Sequence, residues 1–251
     1  MNVAAVIDHR FCGPPRSANG GYTCGVAAEA LGADVASVRL LAPPPLGVDL
    51  HVEPDGDGVV LRGPDGPVAS ARAGELDALV PPPVALDEAE RRAAAFDEVA
   101  YRDAHPFPRC FTCGPDRSAG DGLRLFPAAT GHDAMVVWPW TPHESVVDAS
   151  GLVGPRVMWA ALDCPSGLAW MMADLDDVPP MVLGSMTARI DRRPRAGERL
   201  VTAGWRGDAD GRRRAAGSAI WDTDGAALAI AETVWVVLDP EQAEAFTGGD
   251  R

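Results

Sequence analysis

The chain has 251 residues, of which 47% are hydrophobic, and its formal net charge is −14. This apolar content is enough to build a large core, so the composition excludes a mainly disordered chain. The negative charge repels phosphate backbones and anionic lipid surfaces, which argues against nucleic acid and membranes as partners.

Two stretches bear on where the protein resides. The N-terminal sequence MNVAAVIDHRFC has no basic region followed by a long apolar run, so we expect no signal peptide. The apolar stretch at residues 226–238 is short for a membrane span and contains Glu232. The sequence therefore predicts a cytoplasmic protein.

The first part of the chain, residues 1–80, predicts one helix followed by an antiparallel meander. The helix is expected in GGYTCGVAAEALG, which begins at Gly20 and is rich in small residues. The stretch VASVRLLAPPPLGVDLHVE then predicts a strand, a proline-bearing turn and a second strand. Two more strands are expected in GVVLRG and GPVASAR, and Asp-Gly pairs at Asp57 and Asp65 mark hairpin turns.

The remaining sequence, residues 81–251, predicts a linker, a second unit and a tail. The proline-rich linker, residues 81–108, is expected to hold one short helix over roughly residues 87–99, with Asp87 as its N-cap. In the second unit, residues 109–240, GLRLFP and DAMVVWPW predict strands before a helix in GPRVMWAALDCPSG, and further strands follow it. Residues 241–251 are expected to form a tail.

The two predicted helices align with each other. Gly20 pairs with Gly154, and Glu29 pairs with Asp163, so a carboxylate follows the opening glycine by about two helical turns in each stretch. The elements that follow the helices also occur in the same order. The sequence therefore indicates an internal duplication.

The cysteines raise the question of a metal. Cys110 and Cys113 form a CxxC motif, which is half of a structural zinc site. His105 or Cys12 could supply a further ligand, but the sequence has no second CxxC and no HxxxH motif. We therefore expect a tight turn that enters a strand and assign no metal ligand, while zinc binding by Cys110 and Cys113 stays open.

The order of elements across nearly the whole chain resembles that of the double-hotdog acyl-CoA thioesterases. The phrases NGGYTCGVAAEALG, RLLAPPPLG, WAALDCPSGLAW and GSMTARIDRRPRAGERL add to this resemblance. It implies an α+β fold in which two long helices are each wrapped by a curved antiparallel sheet. It also implies a thioester site between the helices, with the substrate carbonyl at one helix N-terminus. A carboxylate from the other helix would either activate water or attack the carbonyl directly.

The start of the first helix is the expected oxyanion site. The first amides of a helix have no intrahelical partner, and the helix dipole adds positive potential there. The amides of Gly20 and Gly21 are exposed by the missing side chains, so we expect them to stabilise the oxyanion. Asn19 is expected to cap the helix or to contribute its own amide.

The start of the second helix is less suited to this role. Pro155 has no amide hydrogen, and Arg156 places a bulky charge there. The carboxylate opposite the first helix is Asp163, whose burial would raise its pKa toward that of a general base. Glu29 would belong to a degenerate second site, where it is a candidate for substrate binding.

Other residues are expected to bind the substrate. Arg192, Arg193 and Arg195 form a dense basic cluster, and arginine suits the phosphates of coenzyme A. Trp159 belongs to the tryptophan- and methionine-rich second unit that is expected to line the acyl pocket, which suggests a bulky or aromatic acyl group. The expected partner is an acyl-CoA or acyl-carrier thioester, with no cofactor; assembly into a homo-oligomer stays open.

Two other functions fit the same resemblance. A hotdog enoyl-thioester hydratase or dehydratase would need a catalytic histidine, and the sequence has no Asp-x-x-x-x-His phrase at a suitable place. A protein that binds acyl thioesters without turnover would need no base at all. We therefore favour thioester hydrolysis, which uses the exposed amides of the first helix and Asp163 of the second helix as the base.

Overall fold

The computed structural model describes residues 3–130, 134–172 and 180–247. Within these ranges the chain forms five α-helices and eleven β-strands. The helices are α1 (Gly20–Leu31), α2 (Leu86–Ala94), α3 (Glu98–Ala104), α4 (Pro155–Met171) and α5 (Pro240–Thr247). The strands are β1 (Val3–Val6), β2 (Val35–Leu40), β3 (Asp49–Asp55), β4 (Gly58–Gly63), β5 (Gly66–Ala73), β6 (Ala128–Ala129), β7 (Met135–Trp140), β8 (Met181–Ile190), β9 (Leu200–Asp210), β10 (Arg213–Trp221) and β11 (Ala227–Val237).

All eleven described strands belong to one antiparallel sheet, in the order β1-β3-β4-β5-β2-β8-β11-β10-β9-β7-β6. Strands β2 and β8 pair at its middle, with Val35 opposite Arg189 and Val38 opposite Met186. On either side of this junction the order is mirrored, because β5, β4, β3 and β1 correspond to β11, β10, β9 and β7. Two similar halves produce such a mirrored order.

The two longest helices pack against each other and against the sheet. Helix α1 contacts β2, β4 and β5, whereas α4 contacts β9, β10 and β11. Small residues let the two backbones approach closely: a Cβ added to Gly21 would lie 2.5 Å from the Asp163 Cβ, and one added to Gly25 would lie 2.7 Å from the Arg156 Cα. This close packing explains why α1 is built from glycine, alanine and other small residues.

Local signals determine where α1 begins and ends. Asn19 is the N-cap, and its Oδ1 accepts a hydrogen bond from the Tyr22 amide over 2.8 Å. Gly32 follows the last turn with φ of 73°, a left-handed conformation that glycine adopts without strain.

Two sequence predictions about the linker are wrong. The linker holds two helices, α2 and α3, in place of one helix over residues 87–99. Asp87 is not the N-cap, because α2 begins after Ala85, and Asp97 interrupts the expected helix by capping α3 through the amides of Val99 and Ala100. Helix α5 begins at the border of the expected tail and covers its first part.

The stretch GLRLFP, residues 122–127, was expected to be a strand and is not one. Its amides bond to the loop that contains the CxxC motif: Leu123 donates to the Phe111 carbonyl over 2.8 Å, and Leu125 donates to the Thr112 carbonyl over 2.9 Å. The short strand β6 follows this stretch. The CxxC motif consequently lies in a loop that is held by the following segment.

Across residues 3–130, 134–172 and 180–247, no helix combines the length and the hydropathy needed to span a bilayer.

Candidate active site

The beginning of α1 faces the middle of α4. The Gly21 amide donates a hydrogen bond to Oδ2 of Asp163 over 2.9 Å. The side chain of Asp163 is buried, with only 2% of the residue exposed. The structure therefore brings together the glycine-rich helix start and the carboxylate that the sequence analysis placed opposite each other.

The environment of Asp163 alters its acidity. Burial raises the pKa of Asp163 to about 7, although the Gly21 hydrogen bond and the nearby Asn19 amide act in the opposite direction. Its Oδ1 atom is buried and has no hydrogen-bond partner among the described residues. A carboxyl group with such a pKa can take up and release a proton near neutral pH.

The Gly20 amide and the Asn19 side chain, also at the start of α1, differ from the Gly21 amide in their hydrogen bonding. The Gly20 amide makes no hydrogen bond within the described part of the chain, as expected for the first residue of a helix. Asn19 uses its Oδ1 as the helix cap, while its Nδ2 lies 3.4 Å from Thr112 Oγ1, a long contact. The Gly20 amide is consequently the free donor, whereas the Gly21 amide is engaged by Asp163.

A cavity of about 380 Å³ adjoins this helix contact, and Asn19, Gly20 and Asp163 form part of its wall. The rest of the wall comes from the segment before α1, the loop after β2, the CxxC motif with the segment before it, α4, β8, β11 and α5. Most of it is apolar and includes Phe107, Leu168, Met171, Leu183, Trp235 and Phe246. A largely apolar cavity with a few convergent polar groups is typical of a small-molecule site.

Three cysteines border the same cavity. The Sγ atoms of Cys110, Cys113 and Cys164 all lie within 4.8 Å of one another, so these side chains could hold a metal ion. His105 Nε2 lies 3.3 Å from Cys113 Sγ, and burial lowers the pKa of His105 to about 4, which keeps its ring neutral. Cys12 is held elsewhere, because its thiol donates to the Arg109 carbonyl.

Comparisons with known proteins identify the fold. No family model and no curated protein matches the sequence. The tesB protein of Mycobacterium avium subs paratuberculosis superposes with a TM-score of 0.59 at 13% identity, over 90% of this chain and 89% of that chain. A provisionally named thioesterase from Novosphingobium aromaticivorans gives 0.57 at 15% identity, over 93% and 94%. A conserved protein of unknown function from Alicyclobacillus acidocaldarius, with a hot dog fold, gives 0.56 at 12% identity, over 93% and 91%.

The chain has the hotdog fold. The superpositions cover nearly the whole length of these proteins, and they include both halves of the sheet. At this level of identity the likeness concerns architecture, and what the site does must be argued from its own residues.

The second helix contact of this hotdog chain is different from the first. Glu29 on α1 occupies the position that matches Asp163, and it accepts a hydrogen bond from Arg156 Nε over 2.6 Å. Glu29 is about half exposed at its side chain, and Pro155 offers no amide hydrogen at the start of α4. This contact is an ion pair at the surface.

The predicted substrate-binding residues do not border the cavity described above. Arg192 donates to Glu198 over 2.6 Å, Arg193 pairs with Asp148, and the Arg195 amide donates to Glu198 over 3.1 Å. Trp159 is buried against α1. If Gly25 carried a Cβ atom, that atom would lie 3.2 Å from the Trp159 Cβ.

Sequence analysis missed several residues of the cavity wall. Phe107 comes from the end of the linker and Phe246 from α5, and neither belongs to a motif. Cys164 was not considered as a metal ligand, although the CxxC motif was a signal that a third cysteine could complete a cluster.

Proposed function

We propose that this hotdog chain is a thioester hydrolase that acts on acyl-CoA and consists of two hotdog units in tandem. The mirrored strand order on either side of the β2–β8 junction supports the tandem arrangement. The names of two structural neighbours, the tesB protein and the provisionally named thioesterase, support the reaction class. The observation that carries the proposal is the contact between Gly21 and Asp163 at the wall of an apolar cavity.

In the proposed reaction, the substrate carbonyl lies at the N-terminus of α1. Its oxygen accepts a hydrogen bond from the Gly20 amide, which is free and borders the cavity. Donors that are already oriented toward a developing oxyanion are worth roughly 3–4 kcal/mol each. The positive end of the α1 dipole acts in the same direction.

Asp163 then serves as the general base. One oxygen, Oδ2, is fixed by Gly21, which leaves Oδ1 as the atom that accepts a proton from water. The oxygen of that water bonds to the carbonyl carbon, and the tetrahedral intermediate collapses with cleavage of the carbon–sulfur bond. The departing thiolate receives the proton from Asp163, so the base is regenerated.

In this mechanism Gly21 has a different role from the one expected from the sequence. Gly20 and Gly21 were both expected to stabilise the oxyanion, but the Gly21 amide already serves the carboxylate. We assign Gly20 to the oxyanion and Gly21 to the orientation of Asp163. Asn19 Nδ2 is a candidate for the second oxyanion donor, because Asn19 borders the cavity and the contacts of its Nδ2 are long.

The cavity wall supports an apolar acyl group. Met171, Leu183, Trp235 and Phe246 contribute side chains without charge to it. The guanidinium groups of Arg192 and Arg193 are already paired with carboxylates, and the arginine cluster does not border the cavity, so this proposal does not use it as a phosphate site.

A thiol-release screen tests the proposal. The protein is incubated with aliphatic, aromatic and polycyclic acyl-CoA substrates, with the matching pantetheine thioesters, and with an enoyl-CoA. We expect free thiol from at least one apolar acyl-CoA. Addition of water to the enoyl-CoA without thiol release would indicate a hydratase, and saturable binding of acyl-CoA without turnover would indicate a binding protein; either result would contradict the proposal.

A further inference from the structure

The cysteine cluster beside the cavity is not used by the proposed reaction. Cys110 and Cys113 lie in the loop before the 122–127 segment, whereas Cys164 lies on α4, 54 residues after Cys110. All three side chains are buried. We propose that Cys110, Cys113 and Cys164 bind a zinc ion that ties this loop to α4.

The sulfur positions suit tetrahedral zinc. A zinc–sulfur bond is about 2.3 Å long, so two sulfurs on one tetrahedral ion lie about 3.8 Å apart. The Sγ atoms of Cys110 and Cys164 are 3.6 Å apart, and every pair in the cluster lies within 4.8 Å. Small side-chain movements would bring all three sulfurs to the distances that zinc requires.

The backbone around the CxxC motif is turned tightly to place its two sulfurs together. The Gly114 amide donates to the Cys110 carbonyl over 2.9 Å. A Cβ on Gly114 would lie 2.5 Å from the carbonyl oxygens of both Cys110 and Pro108, so only glycine fits this position. A glycine after the second cysteine allows the chain to fold back around the ligand pair.

His105 is positioned to support a thiolate ligand. Its Nδ1 accepts a hydrogen bond from the Phe107 amide over 2.9 Å, so the neutral ring carries its proton on Nε2. That nitrogen faces Cys113 Sγ at 3.3 Å. His105 therefore acts as a donor to a coordinating sulfur, in the way that outer partners orient metal ligands.

The fourth coordination position of the zinc ion is open to a ligand from the cavity. The three cysteines all contribute to the cavity wall, so a water molecule or a small thiol can reach the metal from that side. Zinc sites with three protein ligands keep such an open position. Soft thiolates favour zinc over magnesium or calcium.

Metal analysis of the full chain, freed of any histidine tag, tests the proposal. After incubation with zinc chloride and gel filtration, we expect about one zinc per chain, and less than about a tenth of that in Cys110→Ser, Cys113→Ser and Cys164→Ser. Cys12→Ser and Cys24→Ser are matched controls, because both replace buried free cysteines outside the cluster, and they should keep the zinc.

A second measurement uses wild-type protein, so it still tests the proposal if the cysteine variants fail to fold. Wild-type protein loaded with cobalt chloride should show thiolate-to-cobalt charge-transfer absorption and the visible bands of a tetrahedral ion. Absence of these bands, zinc retention unchanged in folded cluster variants, or a disulfide within the cluster under reducing conditions would overturn the proposal. Because metal content and spectra are measured, the outcome is independent of thioesterase activity.

Discussion

The Gly21 amide and the Asp163 carboxylate are joined by a 2.9 Å hydrogen bond between the start of α1 and the middle of α4. In the other half, Glu29 matches Asp163 but is joined to Arg156 by a surface ion pair, and Pro155, the counterpart of Gly21, has no amide hydrogen. One contact thus places a buried carboxylate beside a cavity, whereas the other neutralises its carboxylate with a charged side chain. This asymmetry is the physical reason for proposing one active site.

Replacement of Gly21 by alanine tests the close approach of the helices. The added Cβ would lie 2.5 Å from the Asp163 Cβ and 2.6 Å from the Trp159 carbonyl oxygen, so α1 and α4 must separate. We expect a loss of about 1–3 kcal/mol in the free energy of unfolding, because overpacking strains a close-packed contact. Thioester hydrolysis should fall about 100-fold, since the base is displaced.

Gly154→Ala is the control for this variant. Gly154 precedes α4 as the counterpart of Gly20, and a Cβ there would lie 3.8 Å from its nearest neighbours, an ordinary contact. Thermal unfolding and thiol release should both stay near wild type. Equal losses of stability and thiol release in Gly21→Ala and Gly154→Ala would show that the close contact between α1 and Asp163 is not specifically required.

Replacement of Asn19 separates helix capping from catalysis. Asn19→Ala removes the cap on Tyr22 and should cost about 0.5–2 kcal/mol in the free energy of unfolding. Asn19→Ser keeps a capping oxygen, so its stability should be closer to wild type, but it lacks the amide donor. Slow thiol release in a stable Asn19→Ser protein is expected; full activity would remove Asn19 from the oxyanion site.

The helix contact could be predicted from the sequence together with the resemblance to the double-hotdog thioesterases. Asn19 before two glycines indicates a capped helix with exposed amides, a signal that is encoded locally. The repeat alignment singles out Asp163, whereas its place opposite the start of the first helix was implied by the resemblance alone.

The surroundings of the site could not be predicted in this way. Residues 122–127 have an apolar composition suited to a strand, but the amides of Leu123 and Leu125 bond to the loop at Phe111 and Thr112. Phe246 reaches the cavity from the C-terminal helix. These partners are distant in sequence, so no local pattern specifies them.

Ser166 offers a test of how α4 is fixed to the sheet. Its Oγ accepts hydrogen bonds from Trp235 Nε1 over 2.8 Å and from Thr233 Oγ1 over 2.9 Å, and it is fully buried. Ser166→Ala leaves the indole N–H without this acceptor, which should cost about 1–3 kcal/mol in urea unfolding.

A double-mutant cycle provides the control for this change. Trp235→Phe removes the same donor, so Ser166→Ala combined with Trp235→Phe should destabilise the protein by less than the sum of the two single changes. Strict additivity would indicate that the hydrogen bond between Ser166 and Trp235 contributes nothing.

The most direct measurement compares kcat/KM for thiol release in Asp163→Asn and Glu29→Gln, using the best acyl-CoA from the screen. Both changes remove one negative charge from matching helix positions, but only Asp163 borders the cavity. We predict a loss of at least about 100-fold for Asp163→Asn, with the fold retained. Glu29→Gln should stay within about twofold of wild type, because it loses only a surface ion pair. Wild-type turnover in Asp163→Asn, or equal losses in both variants, would contradict the assignment of Asp163 as the base.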